Sequence, residues 1–320
     1  MTSASASARC SVTDVIAIFG PTASGKSAVA EALAERIPAR LVSADAMQVY
    51  RGVPILTNQS EYPTELVGIW ELEHEASVGE YADLAHAAID RALEEGLTPI
   101  VVGGTGLYFR ATLVELGLPP APSSDERARW ERAYDELGPE AAHAALAERD
   151  PEAASRIHPN DRRRVVRALE LAEAGASLVP HEGRLWSENV RHPTLLIGLD
   201  VPMDVLERRI EERTRRMLER GAKAEARHAL VGPISSTART IFGLDELAEL
   251  PRDEALEALV RRTRRYAAYQ RKWMRRIPGL VSLPADRPPG EVADAILEVA
   301  RTRQRLSAGP ARGSGSAADA

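Results

Sequence analysis

Apolar positions along the chain follow two rhythms. Short runs centre on consecutive apolar residues: Val15-Ile16-Ala17-Ile18-Phe19, Arg40-Leu41-Val42-Ser43, Pro99-Ile100-Val101-Val102 and Thr194-Leu195-Leu196-Ile197-Gly198-Leu199. Runs of this length predict strands buried on both faces. Longer stretches, over about 27–36, 81–95, 203–220 and 252–276, read as helices. Strands alternating with helices predict an α/β core, a parallel sheet flanked by helices.

The alternation stops between Pro122 and Trp186, where no strand candidate occurs. Helix starts are marked instead by Pro139 after Gly138 and by Asp150-Pro151, an N-cap followed by proline in the first turn. The stretch from Asp161 to Ala174 reads as a helix ended by Gly175. This predicts an all-helical domain inserted into the core. The expected order is a disordered leader (1–13), the first part of the core (14–121), the helical insertion (122–189), a return to the core with basic helices (190–303), and a disordered tail (304–320). Both ends are rich in small and polar residues and bury too little apolar surface to order themselves.

A chain of 320 residues suits two domains, or one with an insertion. The net charge of −6 argues against blanket attraction to nucleic acid, so only local clusters of charge count. Cys10 is the sole cysteine, which excludes a disulfide framework and fits a reducing cytoplasm. No run approaches the length of a membrane span, and the first residues lack a signal-like apolar core.

Gly20-Pro21-Thr22-Ala23-Ser24-Gly25-Lys26-Ser27 fits G-x-x-x-x-G-K-[ST] directly after the first strand and before a helix. Loops of this kind wrap a phosphate in backbone N–H groups. The helix adds its positive end, Lys26 a point charge, and the Ser27 hydroxyl a Mg²⁺ ligand. Lys26 is one of only three lysines, with Lys223 and Lys272, so its placement is not compositional noise. Ligands in such sheets sit beyond the C-terminal strand ends. There Asp45 reads as a Mg²⁺ ligand, a general base or a capping residue. Gly103-Gly104-Thr105-Gly106 reads foremost as a turn, and Asp200 foremost as a helix cap.

Basic residues cluster in three places. Arg162 to Arg164 with Arg167 lie in the insertion, and Arg208, Arg209, Arg213, Arg215, Arg216 and Arg220 on the helix at 203–220. The second group has Glu207, Glu211 and Glu212 interleaved, the pattern of a salt-bridged surface. Residues 261–276 carry eight basic residues, no acid, and Tyr266, Tyr269 and Trp273, which suits phosphate contact with base stacking.

The chain resembles the transfer-RNA dimethylallyltransferases. The resemblance rests on Pro21-Thr22-Ala23 within the phosphate loop, Ser43 to Gly52, Gly103 to Tyr108 and Asp150-Pro151. It continues through Arg156 to Asp161, Arg164 to Glu170, Arg209 to Arg213 with Met217-Leu218 and Gly221, and Thr263-Arg264 with Gln270 and Trp273. The matches fall in order over about 14–280. Departures stand at Ala46, for a usual serine, and at Leu56 to Ser60, for a Gly-Thr-Ala-Lys-Pro segment. A His-His-Leu segment is missing near Gly68, Leu244 stands for tyrosine, and Ala268-Tyr269 for a Lys-Arg pair.

The resemblance implies transfer of a dimethylallyl group from dimethylallyl diphosphate to the exocyclic amine of the adenine 3′ of the anticodon. The substrates would be tRNAs reading codons that begin with U. It implies Mg²⁺ held through Ser27, catalysis by Asp45, Ser27, Lys26 and Arg213, and Gly20 to Ser27 on the diphosphate. It further implies that Asp45, Ala46, Met47, Gln48, Thr105, Arg127, Arg163, Arg164, Val165, Val166 and Arg167 contact the tRNA anticodon stem-loop, with the insertion holding it against the core. A cytoplasmic monomer with no membrane partner is expected. A nucleoside or small-molecule kinase shares the loop and sheet, and a degenerate RNA-binding member would keep the fold without turnover. Lys26, Ser27 and Asp45 argue against the latter.

Overall fold

The computed structural model describes residues 14–117, 124–179, 185 and 189–307. The expected leader with Cys10, the tail from 308 onward, and residues 118–123 lie outside the described residues. Two compact units form, one from residues up to Val114 together with those after Ser187, and one from Glu115–Ser187.

The first unit is built on a parallel sheet. Its strands are β1 (Val15–Phe19), β2 (Ala39–Ala44), β3 (Thr64–Glu65), β4 (Thr98–Gly103), β5 (Thr194–Asp200) and β6 (Val281–Pro284). They lie in the order β3-β2-β4-β1-β5-β6, every pair parallel. Central β1 has Ile18 level with Val102 of β4 and Ile197 of β5. The four expected strands are therefore the four inner ones, largely apolar because helices cover both faces.

One face is covered by α1 (Lys26–Ala34), α8 (Met203–Glu219) and α12 (Pro289–Ser307). There Leu33, Leu206, Val292 and Ile296 pack on Ile16, Ile18, Ile100 and Leu195. The other carries α2 (Val78–Glu94) and α3 (Gly106–Leu113), where Phe19 meets Phe109 edge-on at 5.1 Å. The unit also holds α9 (Ala222–Ala229), α10 (Leu244–Glu249) and α11 (Arg252–Met274). The chain stays helical to Ser307, past the expected start of the tail at 304, because α12 buries an apolar stripe on the sheet.

The second unit is helical: α4 (Ser124–Leu137), α5 (Pro139–Arg149), α6 (Pro151–Arg156) and α7 (Arg162–Glu173). The start signals act as the sequence indicates. Asp150 caps α6 by accepting from the Ala153 N–H at 2.9 Å, and Asp161 caps α7 from Arg164 at 3.3 Å. Its core gathers Tyr134, Leu146, Ile157, Val165, Val166 and Leu169.

Candidate active site

Neighbouring strands β2, β4, β1 and β5 run parallel and so end at one edge of the sheet. Their C-terminal residues lead into Asp45, Gly104, the loop Gly20 to Ser27, and Val201. Asp200 does not cap the next helix: the N-cap of α8 is Pro202, and the Asp200 carboxylate accepts from Arg271 at 3.4 Å. The site therefore gathers on β1, β2 and β4.

The loop between β1 and α1 is held in a costly shape. Gly25, the N-cap of α1, sits at φ 88°, where glycine alone is unstrained, and a Cβ there would meet nothing within 4 Å. Ala23 adopts φ 64°, a conformation that costs about 1–3 kcal/mol in a residue with a side chain unless its surroundings impose it. Gln270 of α11 anchors the residue before it. Its Oε1 accepts from the Thr22 N–H at 2.8 Å, while its Nε2 donates to the Gly104 carbonyl at 2.8 Å. One buried amide thus ties the phosphate loop to the glycine turn after β4. Gly104 can only be glycine: a Cβ would lie 2.4 Å from Gln270 Nε2 and 2.8 Å from the Gly20 carbonyl. A Cβ on Gly106 would likewise lie 2.2 Å from the Trp273 ring, so the start of α3 rests directly on α11.

Charge concentrates beside this loop. Burial pulls the Lys26 amine below its ordinary pKa, with Asp45 opposing the shift and Arg213 adding to it. Burial acts on Arg213 in the same direction, again opposed by Asp45. The charges of Lys26 on α1, Arg213 on α8 and the carboxylate that follows β2 therefore act on one another. Neither cation forms an ion pair or side-chain hydrogen bond among the described residues, and Arg213 Nε is buried without an acceptor. The Ser24 hydroxyl in the loop is likewise buried and unpartnered. Unmet donors around a helix N-terminus form a cradle for a multivalent anion.

Asp45 is pinned on one side: its Oδ1 accepts from the Met47 N–H at 3.0 Å. Thr105, at the start of α3, accepts from the Ala46 N–H at 3.4 Å and lies 3.3 Å from the Tyr266 hydroxyl. Burial and the nearby Asp45 charge push the Tyr266 hydroxyl above its ordinary pKa, so it stays protonated. Gln48 is occupied within the chain, accepting from the Ser43 hydroxyl at 2.8 Å and donating to the Thr57 and Asn58 carbonyls. The departure at Leu56 to Ser60 has its own anchor, since Glu225 of α9 accepts from the Ile55 and Leu56 N–H groups at 3.0 and 2.7 Å. Leu244 is fully buried at the start of α10.

The expected RNA-contacting residues of the helical unit divide by exposure. Arg163 and Arg164 are exposed on α7, Arg164 in a loose pair with Asp161 at 3.5 Å. Arg127 and Arg167 both hold the buried Glu170, at 3.3 and 3.1 Å. The Val165 and Val166 side chains are core. Sequence reasoning tied Gln270 only to a motif. It sits on the buried stripe Thr263, Ala267, Gln270, Met274 of α11, and a polar residue on such a stripe is the signal that marks it.

The family model described as IPP transferase matches residues 48–277, and the one described as isopentenyl transferase matches 13–68. The chain is 37% identical over 306 residues to the tRNA dimethylallyltransferase of Kineococcus radiotolerans, covering 89% of this chain and 96% of that one. It is 40% identical over 292 residues to that of Thermobifida fusca, covering 86% and 91%. Among solved structures it resembles the tRNA isopentenylpyrophosphate transferase of Bacillus halodurans, with 31% identity, TM-score 0.65 and coverage of 92% and 99%. A eukaryotic dimethylallyltransferase acting on tRNA matches at 25% identity and TM-score 0.77, covering 93% of this chain and 80% of that one.

Proposed function

The chain belongs to the IPP transferase family, and from that premise we propose how its residues carry the reaction. The protein is a prenyltransferase that modifies transfer RNA. The donor is dimethylallyl diphosphate and the acceptor the exocyclic amine of the adenine 3′ of the anticodon, in tRNAs reading codons that begin with U. The allylic C–O bond breaks, its electron pair leaves with the diphosphate, and a C–N bond forms as the amine loses a proton.

The observation that carries this reading is that the charges of Lys26, Arg213 and Asp45 act on one another without an ion pair among the described residues. The cations, the Ser24 hydroxyl and the loop amides stabilise charge growing on the leaving diphosphate, usually the largest catalytic contribution. The adenine amine is a weak nucleophile because its lone pair is delocalised into the ring. Asp45 takes its proton, worth about 10²–10⁴ in rate. Thr105, with the Tyr266 hydroxyl beside it, and residues Ala46 to Gln48 border the acceptor base, which must leave its stack at a cost of a few kcal/mol. Arg163 and Arg164 meet RNA phosphates, and Arg127 and Arg167 shape that surface around Glu170.

Mg²⁺, when bound, neutralises charge on the diphosphate. Ser27, half-exposed on the first turn of α1, is the protein ligand that fits. Among the described residues no group of three or more His, Cys, Asp or Glu is placed to hold a metal. Among the described residues no helix is long and apolar enough to cross a membrane. Because its substrate is transfer RNA, we propose that the protein acts in the cytoplasm, and we propose that it acts as a monomer.

The test is incubation with labelled dimethylallyl diphosphate and unmodified tRNA, followed by nucleoside analysis, for the parent and for Asp45→Asn. Asparagine keeps the size and can accept from the Met47 N–H but cannot take a proton near neutral pH. The general-base role requires a loss of about 10²-fold or more with unchanged donor affinity. Partial rescue by high Mg²⁺ would make Asp45 a metal ligand, and a rate within about threefold of the parent would end the assignment.

A further inference from the structure

The turn from Asp45 to Tyr50 carries the candidate base, and the chain then folds into a second tight segment, 53–59. Two glutamines clasp the pair together. Gln48 Nε2 donates to the Thr57 and Asn58 carbonyls at 3.3 and 3.1 Å. Gln59 Nε2 donates back, to the Gln48 carbonyl at 3.2 Å and the Tyr50 carbonyl at 2.9 Å. Inside the turn, the Tyr50 N–H reaches the Met47 carbonyl only at 3.4 Å. From the far side the Gly68 and Trp70 N–H groups donate to the Gln48 and Val49 carbonyls at 2.8 and 2.9 Å. The 53–59 segment has anchors of its own. Glu225 of α9 accepts from the Ile55 and Leu56 N–H groups, and the Thr57 hydroxyl donates to the Val53 carbonyl at 2.7 Å. Asn58 sits there at φ 52°, a left-handed conformation that persists where the surroundings fix it.

We propose that Gln59 is a positioning residue for prenyl transfer, its carboxamide fixing the turn that carries Asp45. The proposal rests on the general-base reading above. The route from amide to carboxylate is short. Gln59 holds the Gln48 and Tyr50 carbonyls, and Met47, next to Gln48, supplies the N–H that Asp45 Oδ1 accepts at 3.0 Å. Releasing those carbonyls loosens the peptide that orients the carboxylate. The clasp also relates Asp45 to the cationic side of the site. Glu225 belongs to α9, which follows α8, the helix of Arg213, across Gly221 at φ 96°. The base-bearing turn and the helix of Arg213 are thus joined through the 53–59 segment and Glu225. A displacement of about 1 Å between reacting groups can cost about 10² in rate, so a remote amide can govern the chemistry. Its donor hydrogens are what the clasp uses. Nε2 offers two, and a lysine at the same place would offer three with no acceptor.

The experiment compares the parent with Gln59→Leu, Gln59→Lys and Thr57→Val. Single-turnover prenyl transfer is measured at saturating dimethylallyl diphosphate and tRNA, with steady-state donor KM and Tm from the same preparations. Gln59→Leu keeps much of the size and removes both donors. Its rate should fall about ten- to a hundredfold, with the donor KM within about threefold of the parent. Gln59→Lys returns the donors and should recover the rate to within about threefold of the parent. Thr57→Val removes a hydrogen bond inside the same segment and leaves the clasp, so any loss of Tm there should leave the rate alone. A Gln59→Leu rate within about threefold of the parent overturns the proposal. So does an equal rate loss in Thr57→Val, or no recovery in Gln59→Lys, since the cause would then be the stability of the segment. If the parent transfers no prenyl group, or Asp45→Asn transfers it at the parent's rate, the general-base reading fails instead. Amide hydrogen exchange then judges the clasp alone. Exchange over residues 45–50 should quicken in Gln59→Leu but not in Gln59→Lys, and equal exchange in the parent and Gln59→Leu overturns it.

Discussion

Gln270→Met should damage the donor site out of proportion to its size. Methionine fills nearly the same volume but makes neither hydrogen bond, so the Thr22 N–H and the Gly104 carbonyl lose their partners at 2.8 Å. Each group left unpaired in the interior costs about 1–3 kcal/mol, so holding the loop in place would cost about 2–6 kcal/mol. Ala23 adds pressure in the same direction, since its φ of 64° relaxes once the loop is released. The loop therefore gives way, and the loss appears in catalysis. Even the low end of that range corresponds to about thirtyfold in rate. The expected result is a fall of at least about thirtyfold in kcat/KM for dimethylallyl diphosphate. The RNA KM should stay near the parent value.

Gln270→Glu separates the two bonds, because it still accepts from Thr22 but sets a carboxylate oxygen against the Gly104 carbonyl. It should keep donor KM closer to the parent than methionine does while losing thermal stability. Steady-state kinetics at saturating RNA, with thermal melts of the same preparations, decide the matter. A Gln270→Met enzyme with a lowered Tm but donor kinetics within about threefold of the parent would show that the amide braces the fold without positioning the loop.

Three further outcomes follow from the geometry. Lys26→Met should cut turnover by at least about a hundredfold, near 2.7 kcal/mol, yet raise the Tm of the unliganded protein. Folding lowers the Lys26 pKa, so its charge costs stability at neutral pH, a cost relieved as pH rises toward the ordinary value of 10.5. Arg163→Ala with Arg164→Ala should flatten the salt dependence of RNA binding without changing the Tm, whereas Arg167→Ala should lower the Tm by uncovering Glu170; an unchanged slope would make α7 a solvated face. Although burial works against it, hydrogen bonds from Arg191 and His192 hold the Asp90 carboxyl below its ordinary pKa. That contribution is complete above the ordinary carboxylate range and fades as pH falls through the lowered value, so the Tm deficit of Asp90→Asn should be present at pH 7 and vanish in strong acid.

The inner strands were legible because burial on both faces leaves apolar runs that no surface helix shares. Edge strands carry no such mark. β3 is Thr64–Glu65 alone, and β6 alternates half-buried and exposed positions and ends in proline. The loop between β1 and α1 could be read locally, since its glycines and lysine fall within eight residues. Arg213 could not be told from the other arginines of its helix by local pattern, and entered only through family resemblance. Its position does distinguish it. Leu206, Ile210 and Met217 are buried on α8, and Arg213 takes the place on that stripe where an apolar residue is expected. An arginine there, like a glutamine on the buried stripe of α11, is a polar group placed inward at a cost that only a partner or a ligand offsets.

That cost also bears on how the proposed base and the two cations coexist in one small site. A carboxylate beside two desolvated cations would ordinarily close a salt bridge, leaving neither a proton acceptor nor a free anion site. Here Asp45 forms no ion pair among the described residues, although both cations feel its charge. Its Oδ1 is drawn toward the Met47 N–H instead. The turn after β2 thus holds the carboxylate within electrostatic reach of Lys26 and Arg213 without an ion pair among the described residues. In the proposed reading, a diphosphate entering the loop supplies the charge the cations lack and raises stability by mass action. Without it two partly buried positive charges face a single negative one, which in the proposed reading favours occupancy by the donor anion.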